Sequence, residues 1–191
     1  LALYRTIPFV RHILEKHLHP QGYVIDATLG NGNDTLTCAN LLGASGKIFG
    51  FDVQQQAIMN TRAKLEKNGH QCAIAYIHDS HEYLLSHLAE YVGKIDCVIF
   101  NLGYLPHADN QAMTTMISST YKALLQAMIL LKERGLLIVV TYPGHPSGLV
   151  EHQQLMQLFQ KANPDFYFIT TYYQMNHTEN PPHIFLVEKR I

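Results

Sequence analysis

The sequence has no excess of charge of either sign: 14 Lys+Arg stand against 15 Asp+Glu. That balance argues against a generic polyanion binder, which carries a clear basic excess. Any basic patch would have to be local, with the 12 histidines adding charge where their pKa values rise. Cysteine is scarce and odd in number. Cys38, Cys72 and Cys97 lie far apart with no CxxC pair, which indicates neither a zinc knuckle nor a disulfide framework. Each sits among apolar residues and reads as a buried thiol in a reducing cytoplasm. No apolar run approaches the ~20 residues of a membrane span, and no signal-peptide pattern opens the chain. Low-complexity tracts are absent too, and with 47% hydrophobic residues the chain is not a disordered one. Leu1 stands where a Met is usual, so a short leader or initiator residue is expected ahead of it.

What is present is a regular alternation along 191 residues, a length that suits one domain of ~100–200 residues. Residues 3–18 read as a helix with Ile7, Val10, Leu14 and Leu18 on one stripe, expected to pack on that domain. Apolar strands are expected at 22–27, 47–52, 72–77, 95–100 and 136–140. Helices are expected between them at 34–42, 54–67, around 84–88 and at 113–131, with another at 150–162. Two final strands, 165–173 and 184–189, have no helix between them and should pair antiparallel. Repeated βα units imply an α/β fold: a mainly parallel, doubly wound sheet with helices on both faces.

In such a sheet, ligands bind beyond the carboxyl ends of the strands near the switch in strand order. After the first strand come Asp26, Thr28, Gly30, Asn31, Gly32, Asn33, Asp34 and Thr35. Two glycines permit a tight turn and close approach to a ligand, with a helix beginning at once. Thr35 occupies the place of the third glycine in a GxGxxG dinucleotide fingerprint. Asp26 would repel a pyrophosphate and suits a cationic or amino-bearing ligand. A plain Gly-rich turn with Asn and Asp caps is the simpler alternative. Asp52 ends the second strand about 20 residues on, where nucleoside-binding folds place an acid on the ribose, and Gln54 adjoins it. A helix cap is the competing role for Asp52. After the third strand, His78, Asp79, Ser80, His81 and Glu82 lack a third ligand at metal-binding spacing, so no metal is expected. Ser80 and His81 suit an adenine edge. After the fourth strand, Asn101 offers an amide oxygen to an amine, and Tyr104 a ring to a base. Tyr142 and His145 follow the fifth strand on the same edge of the sheet.

Taken together, these stretches resemble the MnmM (YtqB-like) group of class I S-adenosylmethionine-dependent methyltransferases. The likeness rests on Val24-Ile25-Asp26-Ala27-Thr28 with Gly30-Asn31-Gly32 and Asp34-Thr35, and on Gly50-Phe51-Asp52 with Gln54. It continues through Asn101-Leu102-Gly103-Tyr104-Leu105-Pro106, Tyr142-Pro143-Gly144-His145 with Gly148 and Glu151, and Asn180-Pro181-Pro182 with Glu188-Lys189. Two departures stand out: His107-Ala108-Asp109-Asn110 replaces the usual Gly-Gly-Asp-Lys, and Asn33 stands where His is common.

The resemblance implies a seven-stranded sheet with one antiparallel strand, and S-adenosylmethionine as cofactor. It implies methylation of the aminomethyl nitrogen of 5-aminomethyl(-2-thio)uridine at the wobble position, so the tRNA anticodon loop is the expected partner. Asp26, Thr28, Asn31, Gly32, Asn33, Asp34 and Thr35 would line the cofactor turn, joined by Asp52, Gln54, Ser80, His81 and Asn101. The Asn101 side chain and the Leu102 carbonyl would hold the amine, with Tyr104, His107, Tyr142 and His145 on the substrate side. His107, Asp109 and His145 are the candidates for taking the amine's proton. A cytoplasmic setting is expected, and a homodimer is compatible with the chain. Three other readings compete: a nicotinamide oxidoreductase, against which Asp26 and the missing glycine argue; an RNA-binding module that kept the fold; and a methyltransferase for another RNA site or a small amine.

Overall fold

Four short apolar runs become the centre of one sheet in the computed structural model, which describes residues 3–103, 117–177 and 180–191. They are β1 (Tyr23–Asp26), β2 (Lys47–Phe51), β4 (Ile95–Leu102) and β5 (Leu131–Thr141), flanked by β3 (Ala73–Ile77), β6 (Tyr167–Tyr172) and β7 (His183–Lys189). The seven strands lie in the order β3-β2-β1-β4-β5-β7-β6. β7 runs antiparallel to both β5 and β6; the remaining neighbours are parallel. The expected hairpin of the last two strands is therefore present, with β7 inserted inside the sheet and β6 at the edge.

The helices are α1 (Thr6–His17), α2 (Asn33–Leu41), α3 (Gln55–Asn68), α4 (Leu84–Leu88), α5 (Ile117–Leu130) and α6 (Pro146–Gln160). Strand residues alternate between faces, so each central strand feeds two cores. On one face Val24, Ile48, Cys97, Ile99 and Ile138 meet Val10, Leu14, Cys38, Ala39 and Leu65 of α1, α2 and α3. On the other, Ile25, Phe51, Val98, Phe100 and Val139 meet Leu84, Leu88, Leu124, Leu155 and Phe159 of α4, α5 and α6. All three cysteines are free and buried, as their apolar contexts suggested.

Two boundaries differ most from expectation. The strand expected at 136–140 begins at Leu131, where Ile95 pairs with Leu131 before the register jumps to Cys97 with Leu136. Arg134 takes φ +63° inside that irregularity. α6 starts at Pro146, not near 150. Proline's fixed φ suits a first helical turn, and the His145 ring accepts the Gly148 N–H at 3.1 Å. Residues 113–116 of the expected fifth helix lie outside the described residues. No helix among the described residues is long and apolar enough to cross a membrane.

Candidate active site

Successive connections run outward from β1 to β3 and then return to β4, so strand order switches between β1 and β4. In open α/β sheets the ligand crevice lies at such a switch point, beyond the carboxyl ends of the strands. The β1 turn is held by Leu29 N–H to the Phe51 carbonyl at 3.1 Å and Gly32 N–H to the Leu29 carbonyl at 2.8 Å. Gly32 has φ +69°, and a Cβ there would lie within 2.8–2.9 Å of Thr61. Only glycine lets α3 and the turn pack this closely. Gly32 also caps α2, which has no side-chain cap. The simple-turn alternative required Asn or Asp in that role. Instead Asn33 accepts from Lys64 Nζ at 2.5 Å, and Asp34 reaches across the switch point to Asn101.

Three carboxylates converge on this turn. Asp26, 1% exposed, accepts from Thr28 N–H at 3.1 Å and from the Thr35 hydroxyl. Asp52 accepts from Gly30 N–H at 3.0 Å and Gln54 N–H at 2.9 Å. It therefore braces the turn and holds the backbone of Gln54, the residue that leads into α3. Burial, with Asp34 and Asp52 adding their charge, raises Asp26 from 3.8 to about 7. Burial raises Asp34 as well, opposed by its bond from the Asn101 amide. Among the described residues, none of the ion pairs reaches Asp26, Asp34 or Asp52. A cluster of partly desolvated acids without a cation fits a positively charged ligand and disfavours a pyrophosphate.

Asn101 stands at the crossing of two elements. Its N–H donates to the Thr28 hydroxyl at 2.8 Å, tying β4 to the β1 turn. Its Nδ2 donates to Asp34 at 3.0 Å, and its Oδ1 accepts from the Tyr142 hydroxyl at 2.8 Å. The two side-chain bonds fix the amide: nitrogen toward the carboxylate, oxygen toward the phenol. Leu102 is buried at the end of β4. Burial, then the nearby Asp34, raises the Tyr142 hydroxyl.

After β3, Ser80 caps the short 3-10 turn His81–Tyr83 by accepting the Glu82 N–H at 3.3 Å. The His81 Nδ1 lies 3.1 Å from the Ala27 carbonyl, which can only accept, so Nδ1 carries the proton. Among the described residues its Nε2 is buried and has no hydrogen-bond partner, and burial lowers the ring's pKa. A buried lone acceptor beside Asp52 and Ser80 fits an exocyclic amine. Asn31 and Gln54 are half-buried nearby. His145 Nδ1 serves as the cap of α6, while Tyr104 and His107 lie outside the described residues. No group of three or more His, Cys, Asp or Glu among the described residues is arranged for a metal.

The sequence reading gave no role to a second polar group. Thr120 donates to buried Glu151 at 3.2 Å, and His152 Nδ1 pairs with the Thr141 hydroxyl at 2.9 Å. The available signal was a Glu-His pair lying on the same buried stripe of α6 as Leu155 and Phe159.

Residues 48–188 match the family described as "Putative rRNA methylase". The chain belongs to that family. It is 31% identical, over 95% of its own length and 68% of the relative's, to the tRNA (mnm(5)s(2)U34)-methyltransferase, chloroplastic, of Arabidopsis thaliana. A "putative rRNA-methylase" from Clostridium thermocellum superposes with TM-score 0.91 at 30% identity, covering 99% of this chain and 100% of that one. A "putative methyltransferase" from Streptococcus mutans, crystallised with SAH, gives 0.86 at 29% identity, covering 98% and 99%. The chain is an S-adenosylmethionine-dependent methyltransferase on the class I fold.

Proposed function

We propose that this methyltransferase acts on RNA, converting the aminomethyl group of 5-aminomethyl(-2-thio)uridine at the tRNA wobble position to methylaminomethyl. The Arabidopsis relative is named for a methyltransferase of that nucleoside position, and its similarity runs along nearly the whole chain. The observation that carries the reading is the Asp34–Asn101–Tyr142 chain beside the carboxylate cluster, since a fixed amide oxygen is an acceptor for an amine's hydrogens.

S-adenosylmethionine supplies a methyl group on a sulfonium and, when bound, gives the acids the positive charge they lack. Asp52 would take the ribose hydroxyls with the lone pairs left by Gly30 and Gln54, and His81 Nε2 would accept from the adenine amine. Asn101 Oδ1 has one lone pair occupied by Tyr142 and directs the other at an N–H of the substrate amine. The Leu102 carbonyl would hold the second N–H, and together the two acceptors would orient the nitrogen lone pair. Alignment of this kind is the protein's main contribution to a direct displacement. The alkyl amine is mostly protonated at neutral pH and must lose that proton to become the neutral nucleophile. Of the candidates to take it, His107 and Asp109 lie outside the described residues, and His145 Nδ1 is already engaged at the cap. A wobble base is unpaired and cheaply splayed into a pocket. Three buried free thiols suit a reducing, cytoplasmic setting.

The test is mass spectrometry of nucleosides after incubating the protein and S-adenosylmethionine with aminomethyl-bearing tRNA, and separately with ribosomal RNA. A gain of one methyl on the wobble nucleoside is expected. Methylation confined to ribosomal RNA would replace the substrate assignment and leave the cofactor assignment standing.

A further inference from the structure

The same edge of the sheet carries a second group of rings that the chemistry above leaves unused. His183 opens β7 opposite Thr141, and Tyr173 follows Tyr172, the last residue of β6. Their rings are stacked, with centroids 4.1 Å apart and planes 8° from parallel. His152 backs this stack edge-on, 4.4 Å from His183, and is itself stacked 5.3 Å from Phe185. The Thr141 hydroxyl pins His152 from the end of β5. His152 is buried while His183 and Tyr173 are half-buried, so the ladder climbs from the core to the surface. Burial lowers both imidazoles, His152 to about 4, which leaves flat, uncharged rings at neutral pH. Keeping two imidazoles desolvated is less favourable than packing aliphatic side chains in their place.

The ladder is continuous with the methyl-transfer crevice. Asn101 pairs with Val140, Leu102 with Thr141, and Thr141 with His183. The loop carrying Tyr142 also touches the segment leading into β7: a Cβ on Gly144 would lie 3.4 Å from the Asn180 carbonyl. Tyr173 is three strands from Asn101, and at strand spacings of ~4.8 Å this places it roughly 15 Å away. Neighbouring nucleotides of a single-stranded loop bridge such a separation.

We propose that the Tyr173–His183 stack is a platform for a nucleobase adjacent to the methylated one in a single-stranded RNA loop. This rests on the RNA reading above. Stacking needs no basic excess and tolerates any base, which explains how a chain of net charge -1 grips RNA.

The experiment is fluorescence anisotropy of a labelled anticodon stem-loop RNA with the wild type, Tyr173→Ala and Tyr173→Phe, at saturating SAH. Tyr173→Ala should raise the Kd roughly 5- to 100-fold and Tyr173→Phe by less than about twofold, because the ring is kept. Affinity for S-adenosylmethionine, read by calorimetry, should be the same in all three, and the melting temperature of Tyr173→Ala should fall by only a few degrees, the loss of one half-buried ring stack. An abasic residue at the stacked loop position should weaken the wild type by the same factor and leave Tyr173→Ala unchanged. Wild-type affinity in Tyr173→Ala, or an equal deficit of Tyr173→Ala on every abasic RNA, overturns the platform. A wild type that binds SAH and no RNA overturns the RNA reading itself, an outcome visible before any variant is compared.

Discussion

Replacing Asp26 by Asn tests the electrostatic account of the pocket. Its carboxyl titrates near 7 in place of 3.8, because it is buried and faces Asp34 and Asp52. A tenfold change in proton affinity corresponds to about 1.36 kcal/mol, so ionising Asp26 in the cofactor-free fold costs on the order of 4 kcal/mol. The folded pKa is raised, so the stability this group confers is whole below pH ~4 and is lost as pH climbs to ~7. His152 and His183 act in the opposite sense: their lowered values withdraw stability as pH falls below 6.5. The wild-type curve sums these effects, and Glu151, raised by burial to about 7, adds to the Asp26 slope. Subtracting the wild type from Asp26→Asn cancels all but Asp26. Asparagine keeps an oxygen for the Thr28 N–H, and the Thr35 hydroxyl can rotate to accept from the new amide. Urea unfolding at pH 4 and pH 8 should show the variant gaining about 2–4 kcal/mol on the wild type over that range. Cofactor binding should complement this, with wild-type affinity for S-adenosylmethionine rising between pH 6 and pH 8 and that of Asp26→Asn staying flat. Parallel stability curves for the two proteins would refute the argument.

Asp52→Ala removes the acceptor for Gly30 and Gln54 together with the proposed ribose contact. Calorimetry should show S-adenosylmethionine binding weakened by roughly 1.5–3 kcal/mol, and an unchanged Kd would leave Asp52 as a brace alone. Asn101→Ala should cut single-turnover methylation heavily with cofactor affinity unchanged, because its bond matters in the reactive alignment. Tyr142→Phe should slow turnover by roughly 2- to 10-fold, as one neutral hydrogen bond holding the Asn101 amide is lost. Wild-type turnover in a stably folded Asn101→Ala would eliminate that residue's role.

The sheet was legible because its central strands are buried on both faces, and that makes them continuous apolar runs with little ambiguity. The β1 turn was legible because Gly30 and Gly32 both take positive φ, and few other residues take their place. What escaped the sequence was non-local. Nothing in Asn101 announces that its amide is shared between Asp34 and Tyr142, residues 67 and 41 positions away. Glu151 and His152 look like ordinary polar positions until the fold brings Thr120 and Thr141 against them. Lys132, Glu133, Arg134 and Gly135 break the apolar run before Leu136, yet β5 runs through them because Leu131 finds a partner in Ile95.

The position of β7 bears on how the chain is made. β6 is synthesised before β7 yet pairs with nothing else in the sheet. Until residues 183–189 have left the ribosome, β6 has no neighbour and β5 keeps an open edge of Leu137, Ile138, Val139 and Val140. Apolar unpaired edges are where nascent chains associate wrongly. A chain stalled shortly before His183 therefore carries most of its cofactor crevice beside its most aggregation-prone surface. Chaperone capture at that stage should raise the yield of active enzyme.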